Sequence, residues 1–332
     1  MEDGQPVPGS LYVYVPNKVA PIFFTVAFAA SATGHIWQCF HYKCFKLIWL
    51  HPFCAVVFTV GYALREYGAF NYSYSNTENL IIYVLSQVFI YICPPLLELA
   101  NYHVLGRIFY YVPYLSPLSP GKVRSTFGAL MALVETINAL GVSLSSKPSA
   151  SPNQQELGRR LTISALVIQL VVIITFVSLA STFHRRCNQV NIQAKAILTL
   201  LVILYISMSL ILIRCVYRLV EHLGNTKIDL GDLDALRTLS PILRYEWFFY
   251  VFEATLMLFN SVLWNIWCPG RYLPRDHHVY LAPDGTTELK REEKPDGRSL
   301  LLRIVSALTF GCFFRKKENL MIGTYPTAQR QA

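Results

Sequence analysis

The sequence predicts an all-α integral membrane protein: seven transmembrane helices, an N-terminus outside and a cytoplasmic C-terminal tail. Two observations predict it. Of the 332 residues, 53% are hydrophobic and only 15% are charged, against about 25% charged in an average soluble domain. The apolar residues also come in blocks too long for half-buried helices, while the basic residues behind the net charge of +9 are scattered between those blocks or gathered at the C-terminus. That distribution is a topology signal and argues against a freely soluble enzyme and against a nucleic-acid-binding groove.

A spanning helix needs about 20 mostly apolar residues to cross a hydrocarbon core about 30 Å thick. Seven stretches satisfy this, near 19–40, 45–64, 80–99, 123–144, 161–183, 194–216 and 245–267. Residues 1–18 form a short extracellular tail that begins Met-Glu-Asp without a basic region, so the first span is expected to act as its own insertion signal. An odd number of spans puts the termini on opposite sides. Nine Lys and Arg residues flank the spans on the N-terminal side and nineteen on the other, eleven of them in the tail, which places 268–332 in the cytoplasm.

Asn71-Tyr72-Ser73 is then a glycosylation sequon in an outer loop, with Asn71 the candidate acceptor. Of eight cysteines, Cys39, Cys44, Cys187, Cys268 and Cys312 lie near or beyond cytoplasmic ends of spans and only Cys215 near the outer face. No external disulfide pair is available, so reduced thiols are expected, with palmitoylation as the alternative.

In the tail, 288–298 reads as a solvated linker. The sixteen residues 299–314 are apolar but carry Arg303, which is short for an eighth span. Leu301, Ile304, Val305, Leu308 and Cys312 share a helical face, so the segment reads as an amphipathic helix on the inner leaflet, helped by Arg315, Lys316 and Lys317. An eighth span is the alternative. The basic tail is also the expected surface for cytoplasmic partners.

Enzymatic signatures are missing from the sequence. No G-x-x-x-x-G-K-[ST] loop, H-E-x-x-H pair, C-x-x-C or G-x-S-x-G elbow occurs, so no nucleotide, metal or other cofactor and no catalytic residue is expected. The last span has neither a His to ligate metal, as in membrane hydrolases of the ceramidase type, nor a Lys to carry retinal.

Ionisable residues at bilayer depth cost about 2.5–3.5 kcal/mol even on the lenient insertion scale and therefore mark partners, cavities or pathways. The first span spaces Ser31, His35 and Gln38 by four and three. The third carries Gln87, Tyr91, Pro94 and Glu98, and Pro94-Pro95 is expected to break its backbone ladder. Glu135 and Asn138 share a face of the fourth, and Glu246, Glu253 and Asn260 recur by sevens in the last. Arg214 and Arg218 lie near the outer end of the sixth span, and Arg65 and Glu66 end the second. We expect a polar vestibule opening outward, floored by Glu253 and Glu135, for zwitterionic or amine-bearing lipid headgroups. The substrate-pathway candidates are Glu135, Glu253, Arg214, Arg218, Glu98 and Asn138. His35, Gln38, Gln87 and Asn138 also suit a simpler part as interhelical glue. The fifth span, aliphatic apart from Gln169, is expected to face lipid or form scaffold.

Several short runs in fixed order carry a family resemblance over about residues 11–270. They are Leu11-Tyr12-Val13-Tyr14-Val15-Pro16, Gly61-Tyr62-Ala63-Leu64-Arg65, the stretch from Pro94 to Tyr102, Leu105-Gly106-Arg107, the stretch from Ile213 to Glu221, and the stretch from Glu246 to Glu253. The chain thereby resembles the fungal lipid-translocating exporters, or RTA-like proteins. Family members often carry Asp where Glu253 stands, His-Pro where Cys268-Pro269 stands, and Asp, Gln and a Gly-rich end where this chain has Glu135, Asn138 and Gly141. The resemblance implies a plasma-membrane or endomembrane protein that moves sphingoid long-chain bases or related amphipathic lipids and contributes to resistance to membrane-active toxic compounds. A seven-helix sensor that regulates lipid asymmetry without carrying the lipid is the alternative, and an intramembrane hydrolase the remote one.

Overall fold

The computed structural model describes residues 6–74, 76–118, 120–145, 151–190, 195–224, 236–274, 276, 279–282 and 287–290. The tail segment 299–314, with Cys312, lies outside them. The long elements are all helices. Pro21 opens α1 (Ala20–Tyr42), and Lys43, at φ 52°, closes it. The second expected span starts later than the sequence indicates: a single turn, α2 (Phe45–Ile48), precedes α3 (Leu50–Phe70). Pro52 sits in the first turn of α3, where its missing N–H would have had no intrahelical acceptor.

α4 (Thr77–Tyr111) is capped by Asn76, whose side chain accepts from the Glu78 N–H. It continues as one helix through Pro94 and Pro95, so the two donors missing from its backbone ladder there do not end it. Both prolines are buried, and a membrane helix tolerates the loss of two donors where neighbouring helices surround it. α5 (Pro120–Ser145) and α6 (Pro152–Gln189) follow, the latter opened by a reciprocal capping box between Ser151 and Gln154. α7 is Lys195–Leu223. After the short α8 (Pro241–Arg244) comes a split helix: α9 (Glu246–Phe249), a π-helical turn (Tyr250–Thr255) and α10 (Leu256–Ile266). The Thr255 hydroxyl donates to the Tyr250 carbonyl five residues back, stabilising the wider turn. α11 (Pro269–Tyr272) and a small antiparallel pair, β1 (Val279–Leu281) with β2 (Glu288–Lys290), complete the described chain. The stretch read as a solvated linker therefore begins as an exposed strand.

Among the described residues, α1, α4, α5, α6, α7 and the split helix with its α11 turn are long and apolar enough to cross a membrane. Large apolar side chains such as Phe23, Val26, Val84, Val88, Val171, Ile174, Val202 and Ile213 are exposed on them. A belt of this kind on a water-facing protein would drive aggregation, whereas in a bilayer it is the lipid-facing surface. The chain is an integral membrane protein.

α3 packs against α1 and α4, the split helix packs against α1 and α7, and α5 pairs with α6. That last pairing depends on two glycines. A Cβ at Gly141 would overlap Thr162 and the Gly158 carbonyl, and one at Gly158 would overlap Ser145 and the Gly141 carbonyl. Gly141 with Ser145, and Gly158 with Thr162, form two facing small-residue pairs of the kind that let membrane helices approach closely.

The two ends of the bundle are each covered. Over the Phe70 end, Leu11 N–H donates to the Tyr72 carbonyl and Tyr74 N–H to that of Gly9, and Tyr12 seats its hydroxyl over Gly68. At the opposite end, Arg107 donates to the Asp276 and Pro274 carbonyls and Tyr111 to Glu288. The seven cysteines among the described residues are free thiols.

Candidate functional site

The polar groups inside the bundle lie in three tiers along the split helix. From Glu246 to Asn265 that helix spans about 28 Å at about 1.5 Å per residue, nearly the hydrocarbon thickness. The π-helical turn begins four residues after Glu246 and contains Glu253, and Glu246, Glu253 and Asn260 are all buried.

The first tier, at the Phe70 end, is centred on Arg65. Its Nη2 lies 3.0 Å from Glu246 Oε1 and 3.1 Å from the Tyr14 hydroxyl, and its Nε donates to Tyr250 at 3.3 Å. The rings of Phe249, Tyr12 and Tyr250 surround the guanidinium at 4.1, 4.9 and 5.5 Å. The other Glu246 oxygen accepts from the Asn17 N–H. Burial, only partly offset by Arg65, holds the Tyr14 phenol well above its ordinary value, so it stays neutral and accepts from Arg65 as a phenol. Arg65 was legible as a charge ending a span; its partner, 181 residues away, was not.

The second tier brings the expected pathway residues together. Arg214 Nε contacts Glu253 Oε1 at 2.6 Å, and Glu253 has no exposed surface. Its second oxygen, Oε2, is buried without a hydrogen-bond partner. Glu135 lies within electrostatic reach of Arg214 and pairs with Asn138, and Glu98 is within reach of both Glu135 and Arg214. Arg218 turns to Glu221 and lies 4.3 Å over the Tyr91 ring. Gln169, expected on a lipid-facing or scaffold helix, instead donates to Glu98 at 2.8 Å, and Tyr102 donates to the other Glu98 oxygen. The cluster thus sets three buried or half-buried carboxyl groups around one guanidinium. Glu253 at its centre is fully buried. Between α5 and α6 lies an apolar cavity of about 360 Å³ lined by residues including Val123, Phe127, Leu130, Ile168 and Val172. Phe127 touches the Tyr102 ring, and Tyr102 donates to Glu98, so two aromatic rings in series link the cavity lining to that acid.

Just below, Ser207 uses its full hydrogen-bonding capacity: it donates to Asn260 at 2.6 Å and accepts from Asn101 at 2.8 Å and the Trp264 indole at 3.0 Å. The third tier, toward the Lys43 end, is uncharged by composition. Ser31 and Ser261 hydroxyls pair at 2.6 Å, His35 Nε2 lies 3.3 Å from Ser261, Asn265 donates to Ser31, and Gln38 donates to the Asn265 carbonyl. His35 and Gln38 do bridge helices here, as the glue reading expected. Asn71 is exposed where α3 ends. Among the described residues no group of three His, Cys, Asp or Glu side chains is placed to hold a metal ion.

A family model described as RTA1 like protein matches residues 52–276, which include all three tiers except the contributions of α1, of the N-terminal segment and of His51. A lipid-translocating exporter-like protein RTA1 of Leptosphaeria maculans is 52% identical over 93% of this chain, and this chain spans 60% of that relative's length. A probable lipid transporter, atnI, of Emericella nidulans is 24% identical over 86% of this chain and 73% of its own length. Protein RTA1 of Saccharomyces cerevisiae is 23% identical over 86% of this chain and 93% of its own. No solved structure matches. With the family model covering most of the membrane-embedded helices, the chain belongs to the RTA1-like family.

Proposed function

We propose that the protein translocates amphipathic lipids with an amine-bearing headgroup, sphingoid long-chain bases or related compounds, across the bilayer, and so contributes to resistance to membrane-active toxic compounds. The observation that carries this reading is the second tier. Glu253 offers an unpartnered carboxyl oxygen at mid-depth, with Glu98 and Glu135 close by, and an ammonium headgroup supplies the donor and the charge that such a cluster lacks. The apolar cavity, two rings from Glu98, suits the hydrocarbon tail. The names of the relatives from Leptosphaeria and Emericella point the same way.

In this reading α3 is the seventh span. Its 21 residues are long enough, and the charge of Arg65 is hidden by Glu246 inside the bundle. The N-terminus is outside and the tail cytoplasmic, in the plasma membrane, and the protein is not an enzyme. The vestibule is occluded, with Arg214 acting as the gate on Glu253, and it opens when the headgroup displaces the guanidinium. The test is reconstitution of purified protein in liposomes. It should speed transbilayer movement of a labelled long-chain base, and Glu253→Gln should lose that acceleration. Absence of acceleration by the wild type, with lipid asymmetry altered in a deletion strain, would overturn translocation in favour of a lipid sensor. Orientation is tested separately: glycosidase should shift the gel mobility of the wild type and not of Asn71→Gln, and no shift removes that support for an outer Asn71.

A further inference from the structure

The third tier contains more polar atoms than its hydrogen bonds satisfy. His51 of α3 is 1% exposed and neither ring nitrogen has a partner; His35 Nδ1, Gln38 Oε1 and Asn265 Oδ1 nearby are likewise buried and unpartnered. A neutral imidazole always presents one N–H and one lone pair, so His51 carries two unmet demands inside the bundle. An apolar residue of similar size would fill the space without them. Histidine is the side chain that exchanges a proton near neutral pH, and ionisable groups held inside a membrane bundle mark ion or proton sites.

The surroundings show what a proton here would do. The His35 and His51 rings stack at 5.6 Å, and the Trp264 indole lies 5.2 Å from His51 on the other side. From α4, His103 is within electrostatic reach of His51, and His103 itself lies near Arg124 of α5. From the split helix come Ser261 and Trp264, neither of which titrates. The titratable neighbours of His51 are therefore cationic when protonated, so one proton on the pair opposes a second. A run from His35 through Ser261 and Ser31 reaches the Asn265 side-chain amide, and Gln38, toward the Lys43 end, donates to the backbone carbonyl of the same residue. In the other direction Trp264 donates to Ser207, which holds Asn260 and Asn101. Asn260 is two turns from Glu253.

We propose that His35 and His51 form a single buried proton-binding site reached from the Lys43 end, and that its charge drives translocation by drawing the Trp264 ring onto the imidazolium. The attraction is a cation–π contact at a separation already within its range. The indole N–H then leaves Ser207, and the Asn260–Ser207–Asn101 node beneath Arg214 and Glu253 comes apart. The indole has no acceptor atom, so the signal crosses Trp264 as movement and not as a relayed proton. The coupling half of this proposal rests on the translocation reading above; the proton site does not.

Full-length protein in phosphatidylcholine vesicles tests both halves. Titrating the pH should quench a component of the intrinsic fluorescence, because an imidazolium beside Trp264 quenches it. That component should vanish in Trp264→Phe and in His51→Gln, and persist in His103→Gln. Should His51→Gln fail to fold, His35→Gln takes its place, and histidine-selective imidazole NMR of the wild type must still show one ring gaining a proton. A fluorescence that ignores pH, or a component that survives both His35→Gln and His51→Gln, overturns the site. In the same vesicles the flux of labelled long-chain base should change several-fold with a transmembrane pH difference in the wild type and lose that dependence in His51→Gln. Flux indifferent to the pH difference overturns the coupling and leaves the site. No flux with an intact titration overturns the translocation reading instead.

Discussion

At the Phe70 end Arg65 has a carboxylate, two phenols and three aromatic faces around one guanidinium. At the Lys43 end His51 is buried as deeply and makes no hydrogen bond through either ring nitrogen. Both residues belong to α3. The first arrangement is fully partnered and resists change, because removing either member of its ion pair strands a buried charge. The second has unmet donors and acceptors, so several arrangements lie close in energy, and a proton can choose between them. The contrast assigns a structural part to one end and a switching part to the other.

The sharpest way to break that contrast is to make each polar centre apolar. Arg65→Leu leaves Glu246 buried without its cation and should destabilise the protein by about 3–5 kcal/mol, read as a large drop in melting temperature in detergent and as loss of folded protein at the membrane. His51→Leu removes groups that were already unpartnered, so it should be neutral or slightly stabilising. Comparable losses from the two substitutions would mean that both ends are structural.

Between the ends, the Arg214–Glu253 pair combines the two behaviours. It is a direct ion pair at 2.6 Å, but Glu253 keeps one oxygen free. Glu253→Gln alone removes the direct carboxylate partner of Arg214, leaving Glu98 and Glu135 only within electrostatic reach, and should cost about 3 kcal/mol. Adding Arg214→Met should recover most of that loss in thermal unfolding, because the charge has gone. Translocation should not return, since the acceptor for the headgroup has gone as well. A double variant that folds and still moves lipid would strip the pair of its proposed part.

The fold was legible in the sequence because bilayer thickness sets a length that apolar blocks either reach or do not. Pairings between helices were legible only where charge announced them. Arg65, Arg214, Glu246 and Glu253 stood out as costly in a membrane, but nothing local joins Arg65 to a residue 181 positions on, or Gln169 to Glu98 71 positions back. Spacing by sevens drew attention to Glu246, Glu253 and Asn260, yet the π-helical turn at Tyr250–Thr255 has no signature in spacing. His35 and Gln38 were legible as polar, and His51 was passed over, since it stands beside Pro52 at the start of a helix that the sequence placed five residues earlier. A missing partner cannot be seen until the neighbours are in place.

The α5–α6 pair offers a control outside all three tiers. Gly158→Ala would push its methyl against Ser145 and the Gly141 carbonyl, and overpacking of this kind typically costs about 1–3 kcal/mol. The loss should appear as a lower melting temperature without a change in the pH dependence of fluorescence or flux.

Gly34→Ala acts on the switching end through shape alone. A Cβ there would meet Asn265 Oδ1 at 2.6 Å, and that atom, at the end of a flexible side chain, has no partner to lose. The amide should therefore swing aside at a cost of about 1–3 kcal/mol in stability, the net worth of its bonds to the Ser31 hydroxyl and carbonyl and the Ser261 carbonyl. Its displacement frees Ser31 and Ser261 from Asn265 while Gln38 keeps the Asn265 backbone carbonyl, and so separates the His35–Ser261–Ser31 run from the Lys43 end. The expected result is a folded protein of modestly lower melting temperature whose Trp264 fluorescence still responds to pH, but slowly after a rapid pH jump. A response as fast as that of the wild type would show that the proton reaches His35 by another route, and a large fall in stability would place this end in the same class as Arg65.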